Sequence, residues 1–537
     1  MREVSGWRPV ADTEPARKPA LARALSQLLW PWEKLNSWLF GANYNPTYQS
    51  GVLAVFLLGI VVVTGVPLLL FYRVGAPYES MQLMQNQFFL CWLRALHRYA
   101  SDAAVLAVLF HTLRMLLGGR TAGPRARAWL SGIAMTALMV AVGVLGLMMV
   151  WDEQAQRLAI GAIQFLEGLP LFSEPPRRVF GDNSSVGEAF FFMLIFLHVA
   201  LPLVLTFLLI FHTSRTARAR LWPEPHLVKF YGVCMAILAL LWPAKLAAKA
   251  DLLHIPGAVP LDWFYAFWLP LVEIVGPTWS ILVLGLVVVG LASIPWWWSG
   301  RGSITEQASV VDESHCTGCT QCFQDCPYDA IQMVPRTQSA DERHSEWVAR
   351  VNSDLCVSCG ICAGSCAPMG VGPPMRTGRD QMRDVDHFAS SIHWNAGDVV
   401  VLACRWGTGE SKEWTDFPGL HLYPTGCSGS LHTSILEMLL RKGASGVLVV
   451  SCPERDCSNR EGPKWLRLRV YEDREAELQA RVDRGRVRLL ACPAVDIQQA
   501  VAAALAFREE LLQLGEAMLG ESESVRCRTQ EVKVVGL

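Results

Sequence analysis

The sequence predicts a multidomain fold: an α-helical membrane bundle of six transmembrane helices, a small α+β domain and an α/β domain with a parallel sheet. Three observations predict it: six long apolar runs, two C-x2-C-x2-C-x3-C runs, and a last part in which β-like runs alternate with helical patterns. The predicted segments are 1–49 (tail and interfacial amphipathic helix), 50–300 (membrane domain), 301–375 (cysteine-rich domain) and 395–520 (α/β domain).

Composition separates a membrane part from a soluble part. Hydrophobic residues make up 52% of the 537 residues, which is high for a soluble protein. The net charge of −1 gives no argument for a nucleic-acid partner. Of the sixteen cysteines, only Cys91 and Cys234 lie in the apolar half, and most of the others fall in C-x-x-C runs. Such runs indicate metal ligation in a reducing compartment, the cytoplasm.

The six apolar runs are each long enough to cross a lipid bilayer. They cover residues 50–72, 90–117, 128–150, 188–212, 228–247 and 274–297. Arginine is concentrated before the first run, after the second and after the fourth, which places these three segments in the cytoplasm. An even number of spans then returns the cysteine-rich half to the cytoplasm. We therefore expect a multi-pass protein of the inner (cytoplasmic) membrane, in contact with lipid.

Two of the predicted spans each carry a pair of histidines at one spacing. His97 and His111 lie fourteen residues apart, and so do His198 and His212. Fourteen residues are close to four helical turns, so each pair leaves one helix face, roughly 21 Å apart along the axis. Ionisable groups inside a membrane are costly and usually functional, and neutral imidazole ligates iron. Two helices of this kind would hold two stacked haems; the alternative is a set of polar packing residues.

Glycines repeat the same spacing in the first and third spans. Gly51 and Gly65 lie fourteen residues apart, as do Gly132 and Gly146. Small residues are common where membrane helices pack against one another. The spacing they share with the histidines favours a second interpretation, in which each glycine lets a haem ring approach the helix backbone.

Residues 30–300 resemble cytochrome b of the quinol-oxidising cytochrome bc family. The similarity lies in the run LHRYASDAAVLAVLFHTLR, in LHVALPL, in the four glycines and in GLMMVWDE, where Val150 replaces the family's proline. The resemblance implies that His97 and His198 ligate a haem near the outer face, and His111 and His212 one near the cytoplasmic face. It also implies that two arginines neutralise haem propionates, although snorkelling to a headgroup is the alternative. These are Arg94 and Arg114.

The loop GAVPLDWFYAFW is similar to the family's P-E-W-Y loop, with one residue inserted after Pro260. Asp262 would stand for the glutamate that takes a proton from quinol, since a carboxylate is a suitable proton acceptor. An interfacial aromatic belt would also explain the loop. Only two spans follow the haem helices, fewer than in the family, and the chain contains no Rieske-type Cys/His motif.

The two cysteine runs of residues 305–370 resemble bacterial ferredoxin domains, a ferredoxin-like α+β fold. In two-cluster ferredoxins the fourth cysteine of each run ligates the other 4Fe–4S cluster; zinc is the alternative ligand. One cluster is therefore assigned to Cys316, Cys319, Cys322 and Cys366. The other is assigned to Cys356, Cys359, Cys362 and Cys326.

In the last part, strands that end in cysteines should bring them together at one edge of a parallel sheet. The stretch resembles the delta subunit of methyl-viologen-reducing hydrogenases, in G-C-S-G and C-P-E-R-D-C. Gly407 stands where that family has a second cysteine, and the four that remain suffice for a 2Fe–2S centre: Cys404, Cys427, Cys452 and Cys457. Unligated core thiols are the alternative, and we expect Cys492 and Cys527 to be of that kind.

These patterns predict a membrane-bound electron-transfer protein, an oxidoreductase subunit. It would connect the quinone/quinol pool, through two b-type haems and the clusters, with a cytoplasmic flavoprotein of heterodisulfide-reductase type or another iron–sulfur oxidoreductase subunit. A membrane anchor and docking subunit without its own substrate site is the alternative. A third is a bc-type subunit paired with a Rieske protein. A homodimer is compatible with each.

Overall fold

The structure is a computed structural model that describes residues 20–169, 186–214, 220–254, 259–298, 307–336 and 345–531. The chain divides into two compact units. The membrane unit consists of Lys18–Ser26 and Gln49–Arg301, and the second unit is built mainly on Gly302–Leu537. Each unit is described by itself.

Helices form the first half of the chain, and several are strongly apolar. They are α1 (Ala20–Phe40), α2 (Ser50–Phe71), α3 (Pro77–Asn86), α4 (Phe88–Leu117), α5 (Ala126–Met148), α6 (Glu153–Glu167), α7 (Glu188–Ser214), α8 (Pro225–Leu241), α9 (Leu269–Val275) and α10 (Pro277–Trp297). Within the described ranges, five of the apolar helical segments are long enough to cross a membrane; they contain α2, α4, α5, α7 and α10. The structure therefore supports a membrane bundle.

The predicted fifth span, residues 228–247, is too long. Helix α8 has 17 residues and ends at Leu241, which gives a length of about 25 Å against the roughly 30 Å of a hydrocarbon core. The next residue, Trp242, precedes Pro243 and leaves the helical conformation, because the proline ring clashes with a helical residue before it. The predicted six long spans are thus five in the structure, with α8 as a shorter apolar helix.

Helix α2 packs along α4, and α5 packs along α7. On α4 the side chains of Ala95, Ala100 and Ala104 are fully buried. Small side chains let helix backbones approach closely, which is the usual basis of tight packing in membranes. Each glycine-bearing helix is in this way held against a histidine-bearing helix.

Two antiparallel strand pairs form the cysteine-rich domain. Strand β1 (Val310–Val311) pairs with β4 (Val371–Gly372), and β2 (Ile331–Pro335) pairs with β3 (Trp347–Val351). Each cysteine run forms one short helix, α11 (Gln321–Asp325) or α12 (Ile361–Ser365). The N-cap residues Thr320 and Gly360 both have left-handed backbone, with φ of 69° and 76°. The two runs therefore fold as repeats of one unit.

The last domain contains a four-stranded parallel sheet in the order β6-β5-β7-β8. Its strands are β5 (Val399–Cys404), β6 (Leu420–Thr425), β7 (Gly446–Ser451) and β8 (Val487–Ala491). Its helices are α13 (Gly378–Ser390), α14 (Thr433–Lys442), α15 (Gly462–Tyr471) and α16 (Ile497–Glu531).

Both faces of this sheet are covered. Side chains alternate along β5, so that Val400 and Leu402 enter the core that contains residues of α13, α14 and α15, whereas Val399 and Val401 enter the core that contains residues of α16. A parallel sheet buried on both faces is expected to have such continuous apolar strands. All carboxyl ends of the strands lie at one edge, and Cys404 is the last residue of β5 there.

Candidate metal centres

His97 and His198 face one another in the membrane unit. Their ring centroids lie 6.4 Å apart and the rings are inclined by 59°. A metal–nitrogen bond of about 2.0–2.1 Å gives two imidazoles on one ion a centroid separation of about 6–6.5 Å. The spacing therefore suits two axial ligands of one haem iron.

Hydrogen bonds fix the tautomer of both rings. Nδ1 of His97 donates to the backbone carbonyl of Val61 at 3.0 Å, and Nδ1 of His198 donates to that of Val142 at 3.0 Å. A carbonyl only accepts, so each Nδ1 carries the proton and each Nε2 keeps its lone pair. Such a bond is what usually orients a metal-ligating histidine.

In the second histidine pair, His212 is oriented by a hydrogen bond in the same way. Nδ1 of His212 lies 2.9 Å from Oγ of Ser131, whose hydroxyl donates to the carbonyl of Ala128 at 3.0 Å. Because the Ser131 hydroxyl hydrogen is donated to Ala128, Nδ1 of His212 must be the donor to Oγ of Ser131.

Each of the four predicted glycines faces one of the four predicted histidines. The pairs are Gly65 with His97, Gly146 with His198, Gly51 with His111 and Gly132 with His212. A Cβ atom placed on Gly146 would lie 2.7 Å from Cε1 of its histidine, and one on Gly132 would lie 3.4 Å from Cε1 of its own. Any side chain larger than hydrogen would therefore crowd most of the imidazoles.

Arg94 and Arg114 are the two predicted partners of the haem propionates. Arg94 is half-buried and Arg114 is buried. Arg94 donates to Oε1 of Gln85 and to the carbonyl of Ala244, and within the part of the chain described here its Nε is buried without a partner. Arg114 is buried on α4. Buried cations require anionic partners, and the propionates of a haem would provide them.

Asp262 lies in a turn in which both of its oxygens are engaged. Oδ1 accepts from the backbone N–H of Phe264 at 3.0 Å and from that of Tyr265 at 2.9 Å. Oδ2 forms an ion pair with Arg98. In this structure, therefore, Asp262 orders the loop. Of the aromatic residues beside it, Tyr265 is 1% exposed and Trp263 is 77% exposed.

Residues around Asp262 form a polar cluster that sequence reasoning missed. Nε of Arg98 lies 3.3 Å from Oδ2 of Asp102, so one guanidinium joins Asp102 to Asp262. The hydroxyl of Tyr265 lies 2.5 Å from Oγ of Ser101. In the described part of the chain, Oδ1 of Asp102 is buried without a hydrogen-bond partner. The available signal was a charged pair, Arg98 and Asp102, one helical turn apart in an apolar span.

The eight cysteines of the ferredoxin-like domain line two cavities. One cavity is lined by the four thiols Cys316, Cys319, Cys322 and Cys366. The other is lined by Cys326, Cys356, Cys359 and Cys362. Each cavity thus takes three cysteines from one run and the last cysteine of the other run, the arrangement that crossed ligation requires.

The cysteines suit a cluster better than a single ion. Each cavity is lined by four cysteines, which match the four irons of a 4Fe–4S cube because the cube binds each thiolate on a different iron. Backbone N–H groups donate to the last cysteine of each run, Ala330 to Cys326 and Gly370 to Cys366, both at 3.3 Å. Burial raises the pKa of Cys362 to about 12, so cluster binding must displace its proton.

The third group forms two close pairs of buried cysteines. Sγ of Cys452 lies 3.6 Å from Sγ of Cys404, and two thiolates on one tetrahedral metal stand about 3.8 Å apart, given bonds of about 2.3 Å. Cys427 and Cys457 are hydrogen-bonded to each other, and the Cys457 thiol as donor lowers the pKa of Cys427. Two pairs match the two irons of a 2Fe–2S centre.

Gly407 borders this third group. A Cβ atom placed there would lie 3.6 Å from Sγ of Cys452, so the position of the absent family cysteine faces the site. Cys492 is buried in the α16 side of the core, where its thiol donates to the carbonyl of Asp496 at 3.3 Å. The side chain of Cys527 lies outside the described residues.

Two of the cysteine groups adjoin one another. Cys359 directly precedes Gly360, and Cys427 lies three residues before Ser430. The two loops meet, since a Cβ atom on Gly360 would lie 3.0 Å from Cβ of Ser430. The second ferredoxin-like cavity and the third group are therefore neighbours within one compact unit.

Three family models match the chain, each in its own segment. The model for cytochrome b/b6/petB matches residues 35–217. The model for the 4Fe-4S dicluster domain matches residues 315–370. The model for the delta subunit of methyl-viologen-reducing hydrogenase matches residues 396–515.

Similar curated proteins are cytochromes b. Cytochrome b6 of Synechococcus elongatus is 26% identical over 188 residues, 34% of this chain and 86% of that protein. Cytochrome b6 of Bigelowiella natans is 28% identical over 174 residues, 32% of this chain and 81% of that protein. Cytochrome b/c1 of Bradyrhizobium diazoefficiens is 23% identical over 285 residues, 47% of this chain and 42% of that protein.

Among solved structures, a chain of a hyperthermophilic respiratory Complex III aligns with a TM-score of 0.37 at 16% identity, over 47% of this chain and 75% of that chain. The family models carry the assignment. The chain joins a cytochrome b-like membrane part to iron–sulfur domains. The three resemblances that the sequence predicts are thereby confirmed, each for its own segment.

Proposed function

We propose that this chain carries electrons between the membrane quinone/quinol pool and a soluble oxidoreductase. The observation that supports this most is the continuity of the cysteine groups, because the Cys359 loop of one group meets the Cys427 loop of the next at Gly360 and Ser430. Electron carriers act in series only if neighbouring sites lie close together. A set of isolated structural clusters would not need to adjoin one another.

The proposed ligands are the four histidines and the twelve cysteines. His97 and His198 would hold one b-type haem, and His111 and His212 the other. The cysteines would hold two 4Fe–4S clusters and one 2Fe–2S cluster. When bound, these groups take up and release single electrons. The backbone bonds to Nδ1 keep His97 and His198 in the ligating tautomer. Four glycines leave room for the imidazole rings, namely Gly51, Gly65, Gly132 and Gly146.

On the quinol side, the cluster around Arg98 would receive protons. Asp262 is the predicted acceptor, and Asp102 is a second candidate because one of its oxygens is buried without a partner among the described residues. A carboxylate can accept a proton when it lies within hydrogen-bond reach of the substrate. Tyr265, buried beside Ser101, would form one wall of the pocket.

The proposed orientation places the iron–sulfur domains in the cytoplasm. It is supported by the arginine-rich loops and by the reducing environment that free thiols need. The partner would be a flavoprotein or another iron–sulfur subunit, since residues 396–515 match a hydrogenase delta subunit. The assembly could include a second copy of the chain.

One observation favours the alternative of an anchor and docking subunit. Both oxygens of Asp262 are engaged, by backbone N–H groups and by Arg98. A carboxylate whose two oxygens already accept hydrogen bonds is a poor proton acceptor unless the loop moves. In that case the chain would relay electrons without a substrate site of its own.

Quinol-dependent haem reduction distinguishes the two functions. The purified full chain would be mixed anaerobically with a short-chain quinol, and haem absorbance followed with time. Rapid reduction that slows in both Asp262→Asn and Asp102→Asn supports a quinol site. The matched control is Asp251→Asn, at an exposed aspartate that pairs with His254. If no quinol reduces the haems, the docking function stands.

A further inference from the structure

We propose that Arg469 is a charge-balancing residue that raises the reduction potentials of the iron–sulfur centres at the junction of the ferredoxin-like and α/β domains. The inference rests on the proposed function, because it requires that the cysteine groups bind clusters. Arg469 belongs to α15 and is 0% exposed. A fully buried arginine is costly and needs a specific reason.

The guanidinium is held by three acceptors from two domains. Nη2 donates to the carbonyl of Gly429 at 2.7 Å, Nε to that of Trp465 at 3.2 Å, and Nη1 to Oγ of Ser365 at 3.4 Å. Gly429 lies two residues after Cys427, and Ser365 lies directly before Cys366. Arg469 is therefore joined to the loops of two different cysteine groups.

The same network reaches the remaining cysteine run. Oγ of Ser365 donates to Oδ2 of Asp325 at 2.7 Å, and Asp325 lies directly before Cys326. Asp325 and Ser365 thus hold equivalent positions in the two runs and bind each other. Nε of Arg474 donates to Oδ1 of Asp325 at 3.0 Å, which adds a second arginine from the α/β domain.

The backbone is shaped around this contact. A Cβ atom placed on Gly364 would lie 2.6 Å from the carbonyl oxygen of Gly429 and would also clash with Nη1 of Arg469. Only glycine at this position lets α12 approach the Gly429 loop while the guanidinium lies between them. The gap between α12 and the Gly429 loop therefore accommodates the Arg469 guanidinium because residue 364 is glycine.

The charges do not cancel. Two arginines share one buried carboxylate, since Arg474 binds Asp325 directly and Arg469 reaches it through Ser365. The network keeps an excess positive charge beside centres that each become more negative on reduction. In a weakly polarisable interior such a charge acts over several ångströms. It should make each neighbouring centre easier to reduce.

The test is an EPR-monitored redox titration of the reconstituted full chain with three variants at the network. Arg469→Gln removes the charge and can still donate hydrogen bonds, Arg469→Lys keeps the charge, and Asp325→Asn removes the negative charge. The matched control is Arg467→Gln, which removes a charge from the same helix at an exposed ion pair with Glu472. Iron content is measured for every protein.

We expect Arg469→Gln to lower the equilibrium constant for reduction of the nearest centre about tenfold, a shift of about 59 mV to more negative potential for one electron. Arg469→Lys should restore most of this shift, and Arg467→Gln should give the wild-type value. Asp325→Asn should shift the potential in the positive direction. A merely structural role, in which the hydrogen bonds of Arg469 matter, predicts the opposite order, with Arg469→Gln closer to wild type than Arg469→Lys.

Unchanged potentials in an Arg469→Gln protein that keeps its iron would overturn the proposal and leave the electron-transfer function intact. If that variant loses its clusters, the sign in Asp325→Asn decides, and a zero or negative shift overturns the proposal. A wild-type chain that binds no cluster would refute the proposed function, and this inference with it.

Discussion

The closest glycine–histidine contact in the membrane unit gives a quantitative test of the haem assignment. A Cβ atom on Gly146 would lie 2.7 Å from Cε1 of His198. Ordinary contact begins at about 3.4 Å, so Gly146→Ala requires the ring to move by about 0.7 Å. The imidazole cannot easily yield, because its Nδ1 is bonded to the carbonyl of Val142.

Two opposing free-energy terms set the size of the effect of Gly146→Ala on haem binding. Alanine is a better helix former than glycine by about 1 kcal/mol, whereas overpacking a tight site costs about 1–3 kcal/mol. The helix itself should therefore gain, while haem binding should weaken by up to about thirtyfold, which corresponds to about 2 kcal/mol. Gly132→Ala, at 3.4 Å from its histidine, should retain nearly all of its haem.

The assay is the haem-to-protein ratio of the purified chain together with the reduced-minus-oxidised absorbance spectrum. Gly290→Ala is the matched control, since Gly290 also lies in an apolar helix and nothing would meet its Cβ atom within 4 Å. We expect one haem to be depleted in Gly146→Ala and both to remain in Gly290→Ala. Equal haem content in the two variants would show that crowding of His198 does not affect haem binding and would contradict the assignment of His198 as a ligand.

Three further predictions concern ligands and proton acceptors. His111→Ala should remove one of two haems and leave the other, as counted by optical redox titration; loss of neither would exclude His111 as a ligand. If the Arg98 cluster receives quinol protons, Asp102→Asn should slow quinol-dependent haem reduction at least as much as Asp262→Asn does. A wild-type rate in Asp102→Asn would assign the proton-accepting role to Asp262 alone. Cys427→Ser should abolish the 2Fe–2S EPR signal while Cys492→Ser, at a buried thiol bonded to Asp496, keeps it; the same loss in both would point to a folding defect.

The elements that could be predicted are those whose pattern is set by local geometry. Strands that end in cysteines were expected in VVVLACRW and GVLVVSC, and β5 and β7 lie there with fully buried side chains. The length of α8 could not be read from hydropathy, because Pro243 continues the apolar run while it ends the helix. Hydropathy reports solvent preference, whereas proline acts on the backbone.

The cysteine positions were predictable, but their environment was not. The spacing of the two runs predicts crossed ligation, and the two cavities contain the expected sets. The contact between the Cys359 loop and the Cys427 loop, at Gly360 and Ser430, depends on how two domains pack, which leaves no periodic signal in the sequence. Arg469 was missed for the same reason, since it stands with Lys464 and Arg467 in a basic stretch that resembles any solvent-exposed segment.

Both oxygens of Asp262 are bonded within the protein. A match to a family motif therefore predicts the type of residue at a position better than it predicts the role of that residue. The carboxylate accepts from two backbone N–H groups of its own turn. Arg98 then joins it to Asp102. In an apolar span, Asp102 would be costly without such a partner, so its presence is explained better by a function of its own than by loop stability. The proton-accepting role, if the chain has one, is therefore expected to be shared across the arginine rather than to belong to the loop carboxylate alone.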